Sequence, residues 1–166
     1  MKKFSAFLAL SALVFGINAN TVLGDTDSQI FKVTIDSALD IDAPDQAAVE
    51  QYNAAGANTV IPTQTWNASG NVANGVKLTF SMPQFVNGSS NADGILELGN
   101  PTGSSVYTIP SGSDTADSSG SASLIATTTG PIDQEDIEVT VTMVNPTSPV
   151  AGDYVTTVTG TIEANP

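Results

Sequence analysis

The sequence predicts an all-β fold, and three observations carry this prediction. About eight segments are apolar or alternate apolar and polar residues over four to nine positions, which is the period-2 pattern of half-buried strands. The intervening stretches are rich in Gly, Asn, Pro and Ser, the residues that favour turns. No segment has a convincing helical period. Together these features predict an immunoglobulin-like antiparallel β-sandwich.

The first 24 residues have the pattern of a secretory signal peptide. Lys2 and Lys3 precede the apolar run 4–17, and Ala19 or Gly24 provides a small residue at the cleavage point. The alternative is a retained membrane anchor, but the apolar run is shorter than the ~20 residues that a membrane span needs. We therefore expect export, with residues 1–24 removed, residues 25–37 forming an N-terminal extension and residues 38–166 forming the domain.

The stretch after the signal peptide alternates apolar and polar residues with one interruption. Its apolar residues occupy odd positions and only Ser37 interrupts them, as the following list shows: Phe31, Val33, Ile35, Leu39 and Ile41. At ~3.3 Å per residue the alternating part would extend over roughly 36 Å, which is too long for one ordinary strand. We place the division at residues 36–38.

The remaining strands follow at short intervals. The clearest are 76–82 and 137–144, in which every second residue is apolar. Asn74-Gly75 is a hairpin-type turn signal before the first of these. The other predicted strands are 60–68, 95–98, 105–109, 122–128 and 154–162, with loops at 44–58, 87–94 and 111–121.

Charge and composition exclude several functions. Two lysines stand against 17 carboxylates after residue 24, a net charge of −15, so nucleic acid and anionic membranes are not expected partners. The chain has no His, Cys or Arg. A serine nucleophile would lack its usual base and a zinc site its preferred ligands. We predict no enzyme, no cofactor and no metal centre.

Acidic clusters and the single tryptophan leave an alternative open. The clusters are 40/42/45, 114/117 and 133/135/136/138, and none matches the calcium-loop pattern. Solvated loop charge is the favoured interpretation, with calcium binding as the alternative. Trp66 is expected in the core, and the alternative is a platform for a sugar ring. A secreted carbohydrate- or calcium-binding β-sandwich module is therefore the second functional hypothesis.

Both ends of the exported chain resemble a known family. QIFKVTIDSALDID resembles the mature amino terminus of major fimbrial subunits of the colonisation-factor antigen type, which are pilins of a chaperone–usher system. SPVAGDYVTTVTGTIEA resembles the closing strand of many such pilins, and NGVKLTFSMPQFVN loosely resembles a mid-chain stretch of them. The absence of cysteine agrees with this branch of the family.

The resemblance implies a structural subunit of a surface fimbrium that supports adhesion. Such a subunit is an incomplete sandwich that a neighbour's N-terminal extension completes, and residues 27–36 would be this donor strand, with Phe31, Val33 and Ile35 as plugs. The implied acceptor groove is formed by Leu39, Ile41, Tyr154, Val158 and Ile162. The implied partners are identical subunits in a head-to-tail fibre, a periplasmic chaperone and an outer-membrane usher.

Two other possibilities remain open. In the first, residues 31–35 are the first strand of a complete, monomeric sandwich with nothing missing. In the second, the chain is an accessory protein of a surface layer or extracellular matrix, and its acidity is its main property.

Overall fold

The computed structural model describes residues 29–30, 32–45, 48–52 and 58–166. The chain divides into two units, residues 1–34 and residues 35–166. The described residues of the first unit have no regular secondary structure. The predicted signal peptide and Phe31 lie outside the described residues.

The second unit consists of strands joined by turns and loops, and no helix occurs in the part of the chain that is described. Ten strands are present: β1 (Leu39–Asp42), β2 (Thr59–Gly70), β3 (Val76–Met82), β4 (Phe85–Asn87), β5 (Ser90–Ala92), β6 (Gly94–Gly99), β7 (Ser113–Ala116), β8 (Ala122–Thr127), β9 (Ile132–Met143) and β10 (Thr159–Ala164).

The strands form a sandwich of two antiparallel sheets and a small hairpin. The first sheet has the order β1-β2-β9-β6-β7, the second has the order β10-β3-β8, and β4 pairs with β5. The sheets meet face to face, because the Trp66 ring of β2 stands edge-on to the Phe80 ring of β3 with 5.2 Å between centroids. The prediction of an all-β antiparallel sandwich is confirmed.

The core follows from strict alternation in the sequence. In β3, the apolar residues are fully buried and the residues between them are half-buried. The C-terminal half of β9 contributes the facing layer from the first sheet. The largest fully buried side chains are Phe80, Leu78, Met82, Leu96, Ile137, Val76 and Val139.

A turn precedes β3 as predicted, but it is not a hairpin, because it connects β2 of the first sheet to β3 of the second. Gly75 has a φ of +87° and its amide donates to the Val72 carbonyl at 2.9 Å. Only glycine adopts this conformation without strain. A Cβ at this position would also lie 2.2 Å from the Thr128 carbonyl oxygen.

Two predicted loops contain strands. Residues 113–116 form the edge strand β7, and residues 85–92 form the β4–β5 hairpin with Gly88 in its turn at a φ of +60°. Both stretches are polar and short, so their pairing comes from neighbouring strands and turn geometry rather than from apolar alternation.

The prediction of a strand at 105–109 is wrong. Tyr107 is buried there, but both its backbone groups bond to the Asn100 side chain at 2.9 Å. The segment therefore makes only one isolated bridge, between Thr108 and Thr127. A side chain has taken the place of a ladder partner.

The first alternating stretch is divided where the sequence predicted, whereas the last predicted strand begins too early. Pairing begins at Leu39, and residues 32–38 do not form a strand. The closing strand spans 159–164 rather than 154–162, and Val155 instead forms a single bridge with Val86.

Candidate functional site

The last strand leaves one of its edges free. β10 pairs with β3 along its whole length, from Thr159 opposite Ser81 to Ala164 opposite Val76. Its other edge has no strand partner among the described residues. Unpaired N–H and C=O groups along such an edge are a template for another strand.

Gly160 brings β10 close to the first sheet. A Cβ built on this glycine would lie 2.7 Å from Trp66 Cζ3, 3.0 Å from Ile41 Cδ1 and 3.2 Å from Phe80 Cε1. No real side chain fits into that space. Gly160 therefore places the edge strand directly against β1 and β2, so the free edge of β10 and the first strand border the same side of the sandwich.

An open groove of about 350 Å³ adjoins the N-terminal end of β10. Its floor is the inner face of β2 and β9, and its walls are the segment before β10 and the segment after β1. The lining side chains are Ile61, Gln64, Trp66, Val139 and Val141 from the floor, and Ala43, Pro44, Ala48, Thr156, Thr157 and Val158 from the walls.

An irregularity in β2 shapes the floor of this groove. The register between β2 and β9 shifts between Ile61 and Gln64. Pro62 lies in this irregular part, where its missing N–H removes no ladder hydrogen bond. The side-chain Nε2 of Gln64 donates to the Pro62 carbonyl at 2.8 Å.

Trp66 belongs to both the core and the groove. It is half-buried, packs against the core cluster and makes the edge-on contact with Phe80. Part of its surface lines the groove. The sole tryptophan is thus a natural fluorescent reporter for anything that occupies this space.

The predicted acceptor residues fall into two groups. Ile41, Tyr154, Val158 and Ile162 are partly buried and pack against the core. Leu39 is 38% exposed at the start of β1. Of these residues, Val158 lines the groove and Ile41 meets Gly160, whereas the Tyr154 hydroxyl accepts a hydrogen bond from the Val150 amide at 3.2 Å.

The predicted donor residues that are described are exposed. Val33 is 87% exposed and Ile35 is 81% exposed. Ile30, which the sequence analysis did not single out, is 93% exposed. Aliphatic side chains this exposed contribute nothing to the folded core.

Sequence reasoning missed most of the groove. Val139 and Val141 were recognised as an inward-facing row, but nothing in the alternation shows which part of that row another strand leaves uncovered. Gln64 and Thr156 have no signal in the sequence at all. Asn71, which binds the backbone just before β1, is likewise visible only in three dimensions.

Members of two acidic clusters, 114/117 and 133/135/136/138, are hydrogen-bonded within the fold. Asp114 accepts hydrogen bonds from the backbone amides of Thr115 and Ser123 at 2.9 and 2.7 Å. Asp136 accepts one from the side-chain Nδ2 of Asn67 at 2.9 Å. The hydrogen bonds that Asp117 accepts from Ser119 hold its pKa below the usual value. In the described ranges, no group of three or more acidic side chains is placed to hold a metal ion.

Tyr107 is buried and hydrogen-bonded through its hydroxyl group. Its hydroxyl donates to the Glu135 carbonyl at 3.0 Å. Burial raises the pKa of Tyr107 to about 12, and the carboxylates of Glu135 and Asp136 add to this effect. Its role is to anchor the segment after β6 against β9.

Comparison with protein-family models, with curated proteins and with solved structures finds no match for this chain. Over the residues that the structure describes, no helix is long and apolar enough to span a bilayer.

Proposed function

We propose that the chain is a structural subunit of a surface fimbrium, in which residues 27–36 of one copy add a strand to the free edge of β10 in the next. The observation that carries this proposal is the unpaired edge of β10 beside an apolar groove. Addition of an extended segment to a sheet edge is a common mode of recognition, in which backbone hydrogen bonds give affinity and side-chain pockets give specificity.

The order of the strands supports the proposal. In an immunoglobulin sandwich, the first, second, fifth and fourth strands form one sheet, and the third, sixth and seventh strands form the other. Here β1, β2, β9 and β6 follow the first order, and β3 and β10 follow the start of the second. By this correspondence β10 takes the sixth position, and the seventh strand has no counterpart among the described residues.

The exposed segment before β1 has the side chains that would insert beside the free edge of β10. Val33 and Ile35, the two predicted plugs that are described, each leave most of their surface in water. Full burial of one such side chain stabilises an interface by roughly 1.5–3 kcal/mol. Each backbone hydrogen bond to the edge adds about 0.5–1.5 kcal/mol. The plugs and a row of ladder bonds together supply the favourable free energy that must exceed the roughly 4–15 kcal/mol that association costs.

The contact joins different surfaces on the two copies. The donor segment of one copy meets the groove of another, so the interface is head-to-tail and does not close on itself. Repetition of such a contact produces a filament. Before assembly, the same edge requires temporary cover, which is the role we assign to a periplasmic chaperone, with an outer-membrane usher as the site of export.

The test compares two variants, each of which replaces an exposed valine with aspartate. Val33→Asp places a carboxylate in the donor segment, and Val49→Asp places one on another valine that is 75% exposed. We expect the wild type and Val49→Asp to form filaments in size-exclusion chromatography and electron microscopy, and Val33→Asp to remain monomeric. A wild type that stays monomeric at high concentration without a partner would refute the proposal.

A carbohydrate-binding module is the second candidate, because Trp66 lines the groove beside Gln64 and Thr156. An aromatic ring with polar neighbours is the usual composition of a sugar site. A panel of glycans should then quench or shift the Trp66 fluorescence. The fimbrial proposal instead predicts that a synthetic peptide of residues 27–36 produces this change and that glycans do not.

A further inference from the structure

Asn71 fixes the backbone immediately ahead of β1. Its side-chain oxygen accepts from the Ala38 amide at 2.7 Å, and its side-chain nitrogen donates to the Asp36 carbonyl at 2.9 Å. Its own backbone amide donates to the Ala38 carbonyl at 3.3 Å. The residue follows directly on the end of β2, so its side chain continues the β1–β2 ladder by two residues.

The chain direction shows why this matters. β1 starts opposite Gly70, at the end of the sandwich where Val76 and Ala164 pair, and it runs toward the level of Gly160. β10 runs the opposite way, from Thr159 to Ala164. A segment before β1 can therefore reach β10 of its own body only by reversing direction at residues 36–38, and it would then lie parallel to β10.

Binding of the donor segment to β10 of its own copy, here called self-closure, is strongly favoured over binding to another copy unless something prevents it. A segment joined by a short linker experiences an effective concentration of about 1 mM at its own body. Separate copies at micromolar concentration are roughly a thousandfold more dilute. Asp36 and Ser37 are residue types that tolerate a turn, so the sequence of the linker does not itself forbid the reversal.

We propose that Asn71 is a positioning residue that selects exchange between copies over closure of the chain on itself. This inference rests on the proposed function. By holding Asp36 and Ala38 in line with β1, Asn71 keeps residues 36–38 from forming the reversing turn. The donor segment then remains available to another copy.

The test removes the side chain and keeps a matched control. Asn71→Ala deletes both side-chain hydrogen bonds, and Asn71→Asp keeps the acceptor for Ala38 but loses the donor for Asp36. Asn91→Ala is the control, since Asn91 is exposed and makes one weak hydrogen bond of 3.5 Å to Gln84. The full chain is expressed with its own leader, so that the cell processes it.

Two measurements are made on each variant. Filament yield is measured at several protein concentrations, and hydrogen exchange is measured on the amides of residues 32–35 in dilute monomer. Two lost hydrogen bonds correspond to a shift of roughly ten- to a hundredfold toward closure. We expect Asn71→Ala to lose filaments by that factor and to gain protection at residues 32–35, Asn71→Asp to be intermediate, and Asn91→Ala to match the wild type.

A double variant separates this inference from misfolding and from failure of the proposed function. Asn71→Ala combined with Val33→Asp has a disabled donor segment, so it should bind an added peptide of residues 27–36 as well as Val33→Asp alone does. If neither Val33→Asp nor the double variant binds the peptide, the proposed function is refuted and the inference with it.

If Val33→Asp binds the peptide but Asn71→Ala assembles as the wild type does, only the role of Asn71 is refuted. If Val33→Asp binds and the double variant does not, loss of the groove explains the Asn71→Ala defect and the inference is overturned.

Discussion

Gly160→Ala tests the packing on which the candidate site depends. The added Cβ would lie 2.7 Å from Trp66 Cζ3 and 3.0 Å from Ile41 Cδ1, with Phe80 Cε1 at 3.2 Å. Contacts between carbon atoms are favourable near 3.5–4.0 Å and repulsive well below it. The methyl group can be accommodated only if β10 moves away from the first sheet or if the indole ring turns out of its place.

The expected loss follows from these distances. Overpacking of a well-filled core destabilises a protein by about 1–3 kcal/mol. Alanine also restricts the unfolded chain and recovers about 0.4–1 kcal/mol where its conformation is compatible. With a urea slope of ~2 kcal/mol per M, the unfolding midpoint should fall by on the order of 0.5–1 M.

The assay is urea unfolding followed by Trp66 fluorescence, which reports on the perturbed contact itself. Gly112→Ala is the matched control, because a Cβ at Gly112 meets nothing within 4 Å and the residue does not have a positive φ. The control should leave stability unchanged or slightly raised. A Gly160→Ala protein as stable as Gly112→Ala, with an unshifted emission maximum, would mean that β10 does not lie against Trp66.

Two further predictions concern the side of the sandwich opposite β10 and the loop after β6. Asp114→Ala should lower the unfolding free energy by about 1 kcal/mol, because it removes the acceptor that links β7 to the Ser123 amide of β8. Thermal or urea unfolding measures this loss. Asp133→Ala is the control, since Asp133 is exposed, and it should have no such effect. Tyr107→Phe should lose about 1 kcal/mol at pH 7 with its hydrogen bond to Glu135. The folded pKa of Tyr107 is raised to about 12, so between pH 10 and 12 the phenol ionises in the unfolded chain while it stays neutral in the folded protein. The wild type should therefore lose roughly 2 kcal/mol of stability over this range, and this part of the pH dependence should be absent in Tyr107→Phe.

The strands that the sequence predicted best are those buried on one face along their whole length. β3 matches its predicted range, 76–82, because each of its apolar residues faces the core and each polar residue faces outward. β9 and β2 were found in the right places but extend further than predicted. Their ends are polar and are held by partners, such as Asn67 with Asp136, that alternation does not reveal.

The failures have two physical causes. Residues 105–109 have the composition of a strand, but the Asn100 side chain satisfies the backbone of Tyr107 and removes the need for a ladder. Residues 113–116 have no apolar pattern, yet they pair with β6 because the sheet offers an edge there. Local propensity is overridden in both cases by a tertiary partner.

The division of the first alternating stretch was predicted at residues 36–38, and pairing begins at Leu39. The sequence indicated this point only through the interruption at Ser37. The reason is visible in the structure as the Asn71 hydrogen bonds to Asp36 and Ala38. No local signal links residue 71 to residues 36–38, so this contact was beyond sequence reasoning.

The two sides of the sandwich are finished in different ways, and this asymmetry is the main reason to propose assembly. Where β7 and β8 meet, Asp114 bonds across to the Ser123 amide and Thr108 bridges to Thr127. On the other side, β10 carries no proline and no inward charge, and its one acidic residue, Glu163, is paired with Lys77 on the neighbouring strand. Natural proteins normally protect a free edge with proline or an inward-pointing charge, because an unprotected edge recruits other strands. We therefore propose that a partner strand completes this open edge beside the apolar groove.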